Sequence, residues 1–256
     1  MEASLSVLSH ADGSCELWQK GRGRILCGVT GPGDVSSSRR IFDRANVFFS
    51  INRLATKSRE ELVAAVRVPS AGSASSSSAL AQPVDHFLRS VVESAIDVGA
   101  YPRSCIQICT QELVMDGPGD AFQLNGLCMA LIDAGIRMRH IFAAVIVGLP
   151  SGDGQQEMVV DPNQMEANAC RALFTFVFKP SAILAGKLLG AHSVGQFTMD
   201  EFKNAIDLAE RRCLTVFDFY RHSTVQKTPV CVFYLPLLTS QQEKCEKVEK
   251  IIRIYG

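Results

Sequence analysis

The sequence has no excess of either charge. Lys plus Arg and Asp plus Glu both number 26, so the formal net charge is zero. That balance demands neither nucleic acid nor a membrane surface as partner, although a neutral total can hide a basic patch. Long apolar runs are also missing, and none reaches the ~20 residues of a bilayer-spanning helix. The opening MEASLSVLSHADGS lacks a basic segment followed by an apolar one, so it does not read as a secretory signal. There is no G-x-x-x-x-G-K-[ST], no G-x-S-x-G and no H-E-x-x-H. There is no C-x-x-C and no Cys/His spacing suited to zinc, and the five histidines are scattered. No metal and no cofactor is therefore expected. Proline and tryptophan are sparse, with 10 and 1.

What is present is globular. Hydrophobic residues make up 47% and charged residues 20% of 256 positions, enough for one large domain or two halves with a sizeable core. The nine cysteines are Cys15, Cys27, Cys105, Cys109, Cys128, Cys170, Cys213, Cys231 and Cys245. Most lie in apolar runs and read as buried thiols of a reducing, intracellular compartment. Cys105 and Cys109 are four apart in an expected strand, so they share a face.

Residues 15–30 predict two short strands around the basic turn KGRGR, the second running from Arg24 to Val29 and stopping at TGPGD. NVFFSIN (46–52) predicts a strand, and SREELVAAVRV (58–68) a helical turn or two. The low-complexity PSAGSASSSSALAQP (69–83) is expected to be a flexible surface loop. Val84, Phe87, Leu88, Val91, Val92, Ala95 and Ile96 recur at helical spacing over 84–98. SCIQICTQELVM (104–115) predicts a strand, followed by a helix over 121–134 with apolar or small residues on most faces. HIFAAVIVGLP and QEMVVDP predict a hairpin around SGDG, and CRALFTFVFKP and ILAGKLLGAH two further strands. In the helix that follows, Thr198 and Glu201 suit a capping box, and Phe202, Ile206, Ala209, Cys213, Val216, Phe217 and Tyr220 form one apolar stripe. Strands in hairpins with helices between the groups indicate an α+β fold. Trp18 is expected in a core or an interface.

DGPGDAFQLNGLCMALIDAG (116–135) carries the functional question. Gly117, Pro118 and Gly119 form a turn at a helix start, where free N–H groups and the helix dipole favour an anion. Asp116 and Asp120 sit at the same turn and repel a phosphate.

The joint occurrence of DGSCELWQKGRGRILCGVTGP, NGLCMALIDAGI and MVVDPNQMEANA resembles the RNase PH family of phosphorolytic 3′-to-5′ exoribonucleases. Within it, the chain is similar to the RNase-PH-like ring subunits of the eukaryotic RNA exosome. The resemblance covers about residues 5–222 as one RNase PH-like domain, with 70–82 as a Ser-rich loop and 223–256 as a C-terminal extension. It implies an RNase PH-like α+β fold with two similar βαβ-type halves (ribosomal protein S5 domain 2-like). It also implies subunits that pair through their sheets into a six-membered ring around RNA, in the nucleus, nucleolus and cytoplasm. The expected partners are other RNase-PH-like subunits, as a heterodimer within that ring, and RNA; no membrane is expected, and the isolated chain is expected to be able to form a homodimer.

In active members of the family a Gly-Gly-Thr/Ser-Arg loop grips phosphate through its Arg and hydroxyl. The resemblance puts Gly119 in the hydroxyl position and Asp120 in the Arg position, a charge reversal. At roughly 4 Å and an effective dielectric of about 20, each unit-charge pair is worth about 4 kcal/mol, so attraction turned to repulsion is a large handicap. Asp120 is then expected to serve as a helix-start carboxylate. The acidic strand end, Asp-x-Asp-x-x-x-Asp in active members, falls on Asp161, Asn163 and Ala167, with Glu166 adjacent. The site is thus expected to be vestigial and the subunit non-catalytic, with a phosphate-dependent exoribonuclease using Asp161 and Glu166 as the alternative. An unrelated α+β binding module is the third reading. Arg22 and Arg24 in the basic turn and Arg89 on the helix at 84–98 are the candidate RNA contacts; each also has a plain reading as a solvated or ion-paired surface Arg.

Overall fold

The computed structural model describes residues 1–34, 40–53, 83–151, 157–181 and 186–227. The expectations for the helical turns at 58–68, the loop at 70–82, the SGDG turn and everything beyond Lys227 lie outside them.

Two sheets flank one buried helix. The first sheet has the order β1 (Glu2–Leu5), β2 (Gly13–Gln19), β3 (Gly23–Asp34), β5 (Ser104–Met115), β4 (Asn46–Asn52). Its pairs are antiparallel except β4 with β5, which is parallel. The second, wholly antiparallel sheet has the order β7 (Val159–Val160), β6 (Ala143–Pro150), β8 (Cys170–Lys179), β9 (Lys187–Gly195). The helices are α1 (Pro83–Ala95), α2 (Asp120–Asp133), α3 (Gln164–Ala169) and α4 (Met199–Lys227). This is the α+β arrangement expected.

Helix α2 lies at the centre because it is apolar or small on most faces. Every residue from Ala121 to Leu131 is buried, and α2 touches β2 and β3 of one sheet and β6 and β8 of the other. Burying each large side chain there, such as Leu124, Leu127 or Met129, contributes about 1.5–3 kcal/mol. Gln123 and Asn125 are the buried polar exceptions, and Asn125 is the bridging one. Its Nδ2 donates to Ala144 O (2.9 Å), and its Oδ1 accepts from Ala144 N (2.7 Å) and from the Tyr220 hydroxyl (2.9 Å). This one side chain therefore ties α2 to β6 and α4, and its polar groups are satisfied.

Helix α4 begins as expected: Thr198 N donates to Glu201 Oε2 (2.7 Å), and Glu201 N donates to Thr198 Oγ1 (3.4 Å). Ala209, Cys213, Val216, Phe217 and Tyr220 are buried along its stripe. It continues to Lys227, so it runs through position 222.

Three expectations need correcting and a fourth narrows. The TGPGD cluster does not stop β3, which runs on to Asp34 because a register shift between Thr30 and Gly33 absorbs the irregular residues. Of the strand drawn from ILAGKLLGAH, residues 183–185 lie outside the described residues; the strand that is described begins at Lys187 and extends further, to Gly195. Trp18 is not in the core, which leaves the interface half of that expectation: it stands on the outer face of the first sheet, 41% exposed. The thiols are not uniformly buried. Cys105 and Cys109 do share a face of β5, but Cys105 is covered where its Sγ lies 3.7 Å from Asp34 O, whereas Cys109 is exposed. Cys170 is half-buried, while Cys15, Cys27, Cys128 and Cys213 are buried.

Candidate functional site

The turn before α2 is pinned from two sides. Asp116 N donates to Arg22 O (2.6 Å), and Gln164 N donates to Asp116 Oδ1 (3.3 Å). Gly117 has φ +109, and a Cβ there would lie 2.8 Å from Pro162 O. Only glycine supplies both that dihedral and that approach. The turn is thereby pressed onto the 161–163 stretch, so the two halves of the expected site are neighbours.

Asp120 opens α2 but does not cap it. The N-cap is Gly119, without a side-chain capping bond. The Asp120 side chain, 15% exposed, instead faces Arg53: Oδ1 is 3.1 Å from Nη2. The angle does not make a hydrogen bond, and Oδ1 has no hydrogen-bond partner among the described residues. The same Arg53 Nη2 lies 2.7 Å from Asp85 Oδ1 at the start of α1. Burial pushes the Asp120 carboxyl above the usual range; Arg53 and His192 pull it down, and Asp85 pushes it further up. One guanidinium thus faces two carboxylates at the anion-binding end of the helix. An incoming phosphate would meet net negative charge and a cation already engaged.

Gly119 carries no hydroxyl, and a side chain there would have to displace the Glu112 carboxylate. A Cβ at this position would lie 2.7 Å from Glu112 Oε1. Glu112 is buried on β5 and accepts a hydrogen bond from Gln123 Nε2 of α2 (2.5 Å).

Asp161 follows β7 with φ 57. Its N–H donates to Ile146 O (2.7 Å). Its carboxylate bridges two cations: Arg22 Nη1 is 3.3 Å from Oδ1, and Arg212 Nε of α4 is 3.4 Å from Oδ2. Arg22 Nη2 also donates to Pro162 O (3.1 Å). These side chains line an open cleft of about 430 Å³ with Gln19, Gly21, Val160, Asn163 and Glu166. A carboxylate held between two guanidiniums is a poor ligand for a further cation, because both neighbours repel it.

Asn163 and Glu166 serve α3. Asn163 Oδ1 accepts from Glu166 N (2.9 Å), and Glu166 Oε2 accepts from Asn163 N (2.9 Å), a closed capping box. Glu166 is therefore taken up in folding α3, beside an Asp161 already neutralised. Ala167 offers no polar side-chain atom. Among the described residues no three His, Cys, Asp or Glu side chains converge as metal ligands. The site splits into an Asp120–Arg53–Asp85 cluster and an Asp161–Arg22–Arg212 cluster, with no ion partner in common.

The three arginines expected on RNA each face a carboxylate. Arg22 is 14% exposed against Asp161. Arg24 pairs with Glu16 across β2 and β3. Arg89 Nε is 2.7 Å from Glu93 Oε1, and its Nη2 donates to Val47 O (3.3 Å).

Asp85, Glu112 and Arg212 are absent from the candidates that the sequence offers. Glu112 had a signal: its parity in SCIQICTQELVM matches the inward-facing Ile106 and Ile108. The spacing of Asn163 and Glu166 likewise signals a capping box.

Comparison with known proteins gives this geometry its setting. A sequence model described as 3′ exoribonuclease family, domain 1, matches residues 1–137, and the model of domain 2 of that family matches residues 140–212. The exosome complex component Rrp41 of Archaeoglobus fulgidus is 30% identical over 226 residues, 87% of this chain and 80% of that protein. The exosome complex component rrp46 of Schizosaccharomyces pombe is 29% identical over 210 residues, 80% of each. The RRP46 homolog of Caenorhabditis elegans is 23% identical over 232 residues, 91% of this chain and 95% of that protein. The fold matches the crystal structure of rice Rrp46 with a TM-score of 0.66 at 20% identity, covering 86% of this chain and 92% of the other. It matches a chain of the Archaeoglobus fulgidus exosome with RNA bound to the active site with a TM-score of 0.62 at 14% identity, covering 86% and 87%. With one family domain matched in each half, this chain belongs to the RNase PH, or 3′ exoribonuclease, family.

Proposed function

We propose that this chain is a non-catalytic structural subunit of the RNA exosome core ring, supporting 3′-to-5′ RNA processing and degradation. Its similarity to Rrp46 and Rrp41 exosome components supports the assembly. The observation that carries the loss of catalysis is the largely covered Asp120 at the start of α2, held with Asp85 on a single Arg53. Phosphorolysis needs cations and N–H donors around a phosphate dianion, and carboxylates free to hold a metal or a proton. Here the helix start is acidic and Asp161 is spent on Arg22 and Arg212.

The partners are related RNase-PH-like subunits, as a heterodimer within a six-membered ring, and RNA held weakly through its backbone. Edge strands β4 and β9 and the exposed Trp18, Leu113 and Val114 favour association, and the isolated chain can use the same surface to form a homodimer. The place of action is the nucleus, nucleolus and cytoplasm, which imaging of the tagged protein tests.

The deciding experiment incubates the purified chain with single-stranded RNA, phosphate and Mg²⁺. No phosphate-dependent release of nucleoside diphosphates is expected. Release that is abolished by Asp161→Ala establishes the alternative, an exoribonuclease with a rearranged site. A pull-down from native cells, with partners identified by mass, tests the ring.

A further inference from the structure

At the far end of the first sheet from Asp120, three stretches of chain converge. Arg103 N donates to Ile41 O (3.0 Å), Ala45 N to Val98 O (2.8 Å), Asp97 N to Arg137 O (3.0 Å), and Arg137 N to the Tyr101 hydroxyl (3.0 Å). Residues 41–45, 97–103 and 137–139 therefore form one surface. It precedes β5, whereas the turn before α2 follows β5. Along this 12-residue strand the two lie about 35 Å apart.

The surface is basic. Arg44, Arg103, Arg137 and Arg139 are exposed, and the nearby carboxylates are Asp43, Asp97 and Asp34, the last beside Ser104 in the sheet and paired with Arg40 (2.8 Å). Arg137 Nε (3.3 Å) and Arg139 Nε (3.7 Å) share the single carboxylate of Asp97, and both remain more than half exposed. Arg44 and Arg103 have no carboxylate partner among the described residues. Lys179 extends the field. Together with Arg139 it acts, after burial, to lower the pKa of His140, so that ring stays neutral and adds no positive charge.

It also carries an aromatic ring in the open. Phe42 is 73% exposed, and the Arg103 guanidinium lies 5.5 Å from its centroid. Exposing a phenylalanine this far is unfavourable for a ring with no partner. A guanidinium stacked on one ring, among cations that neutralise phosphate, is the arrangement that holds an unpaired base and its backbone.

We propose that Phe42, with Arg44, Arg103, Arg137 and Arg139, forms a docking site for single-stranded RNA, remote from the vestigial phosphate turn. A base stacks on Phe42 beside Arg103, and the flanking phosphates lie against Arg44, Arg137 and Arg139. Nothing here reads base edges, so binding is indifferent to sequence and falls with salt. Duplex RNA, whose bases are already stacked, binds less well. The proposal deepens the RNA-handling part of the proposed function and rests on it.

The test uses the full chain and fluorescence anisotropy with labelled oligouridylate, at two salt concentrations. Phe42→Ala is expected to weaken binding about tenfold, and Phe42→Trp to retain it. Arg44→Glu with Arg139→Glu is expected to flatten the plot of log affinity against log salt by about 0.7 for each phosphate that is no longer neutralised. Lys203→Glu, an exposed charge change on α4, leaves binding unchanged. These side chains are exposed, so thermal melting is expected to be unaltered. A second measurement needs no variant: 4-thiouridine RNA crosslinked to the wild-type chain should mark peptides containing Phe42 or Arg103. Binding of Phe42→Ala and the double variant equal to that of Lys203→Glu, or crosslinks confined elsewhere, overturns the proposal. Unchanged RNA affinity with loss of co-purifying subunits also overturns it and makes the surface a protein interface. Failure of the ring reading is seen separately, as a wild-type chain that co-purifies with no exosome subunit.

Discussion

Asp120 Oδ1 lies 3.1 Å from Arg53 Nη2, and that contact occupies the end of α2 where an anion would otherwise be held. Its energetics are testable through pH. Burial raises the Asp120 carboxyl above its ordinary value despite Arg53. A carboxyl raised in the folded state favours folding below its unfolded pKa, and that contribution is lost as pH rises through the folded value. Asp120→Asn, which removes the buried charge and keeps the shape, should therefore stabilise the chain at neutral pH. The gain should shrink towards zero below about pH 4, where wild-type Asp120 is protonated as well. Chemical denaturation of both proteins across this range checks it, and a gain that does not vary with pH would refute the assignment.

Removing Arg53 should do the opposite. Arg53→Gln leaves Asp120 and Asp85 facing each other without a cation. Breaking a buried pair costs about 3–5 kcal/mol, and the 30% exposure of Arg53 reduces this to about 1–2 kcal/mol. The loss should be greatest at neutral pH and smaller in acid.

Much of this architecture can be read from local pattern. The apolar faces of α2 and the Thr198–Glu201 capping box of α4 follow from neighbours three and four residues apart. The stretch Asp161–Ala167 was harder, because the same residues suit an acidic site and the start of α3; Asn163 and Glu166 bond each other, and the helix wins. The Arg53–Asp120–Asp85 cluster has no local signature. It forms where the ends of β4, α1 and α2 meet, and only the packed fold brings them together. The same holds for Arg22 and Arg212 on Asp161.

The buried bridge at Asn125 should show unequal costs. Tyr220→Phe loses one hydrogen bond to Oδ1, which keeps Ala144 N, so the cost should be about 1 kcal/mol. Asn125→Ala strands Ala144 N, Ala144 O and the Tyr220 hydroxyl together and should cost about 3 kcal/mol or more. A double-mutant cycle should give a coupling well above zero.

Thiol reactivity should separate the described cysteines. Burial pushes Cys15, Cys128 and Cys213 up to about 12, so they hold little thiolate at neutral pH. Cys109 is exposed on the outer face of β5. Brief treatment of the native chain with a maleimide, followed by peptide mass mapping, should label Cys109 well ahead of those three. Comparable labelling of Cys128 would mean that α2 opens far more readily than its burial implies.

If the chain is non-catalytic as proposed, placing an arginine in the turn before α2 should not by itself produce phosphorolysis. Asp120→Arg removes a repulsion, adds a donor fork and should improve phosphate binding measured by calorimetry. It also places a second guanidinium beside Arg53, with Asp85 as their shared carboxylate. The rest of the chemistry stays absent. Asp161 remains clasped by Arg22 and Arg212, Glu166 remains in the α3 capping box, and Asn163 and Ala167 supply no charge. Phosphate bound at the turn would therefore find no free carboxylate to hold a metal ion or to protonate the leaving oxygen. Release of nucleoside diphosphates from single-stranded RNA by Asp120→Arg should stay at the level of the wild-type chain. Robust phosphorolysis from that one substitution would show that Asp161 leaves its arginines when substrate binds, and that the acidic end is competent after all.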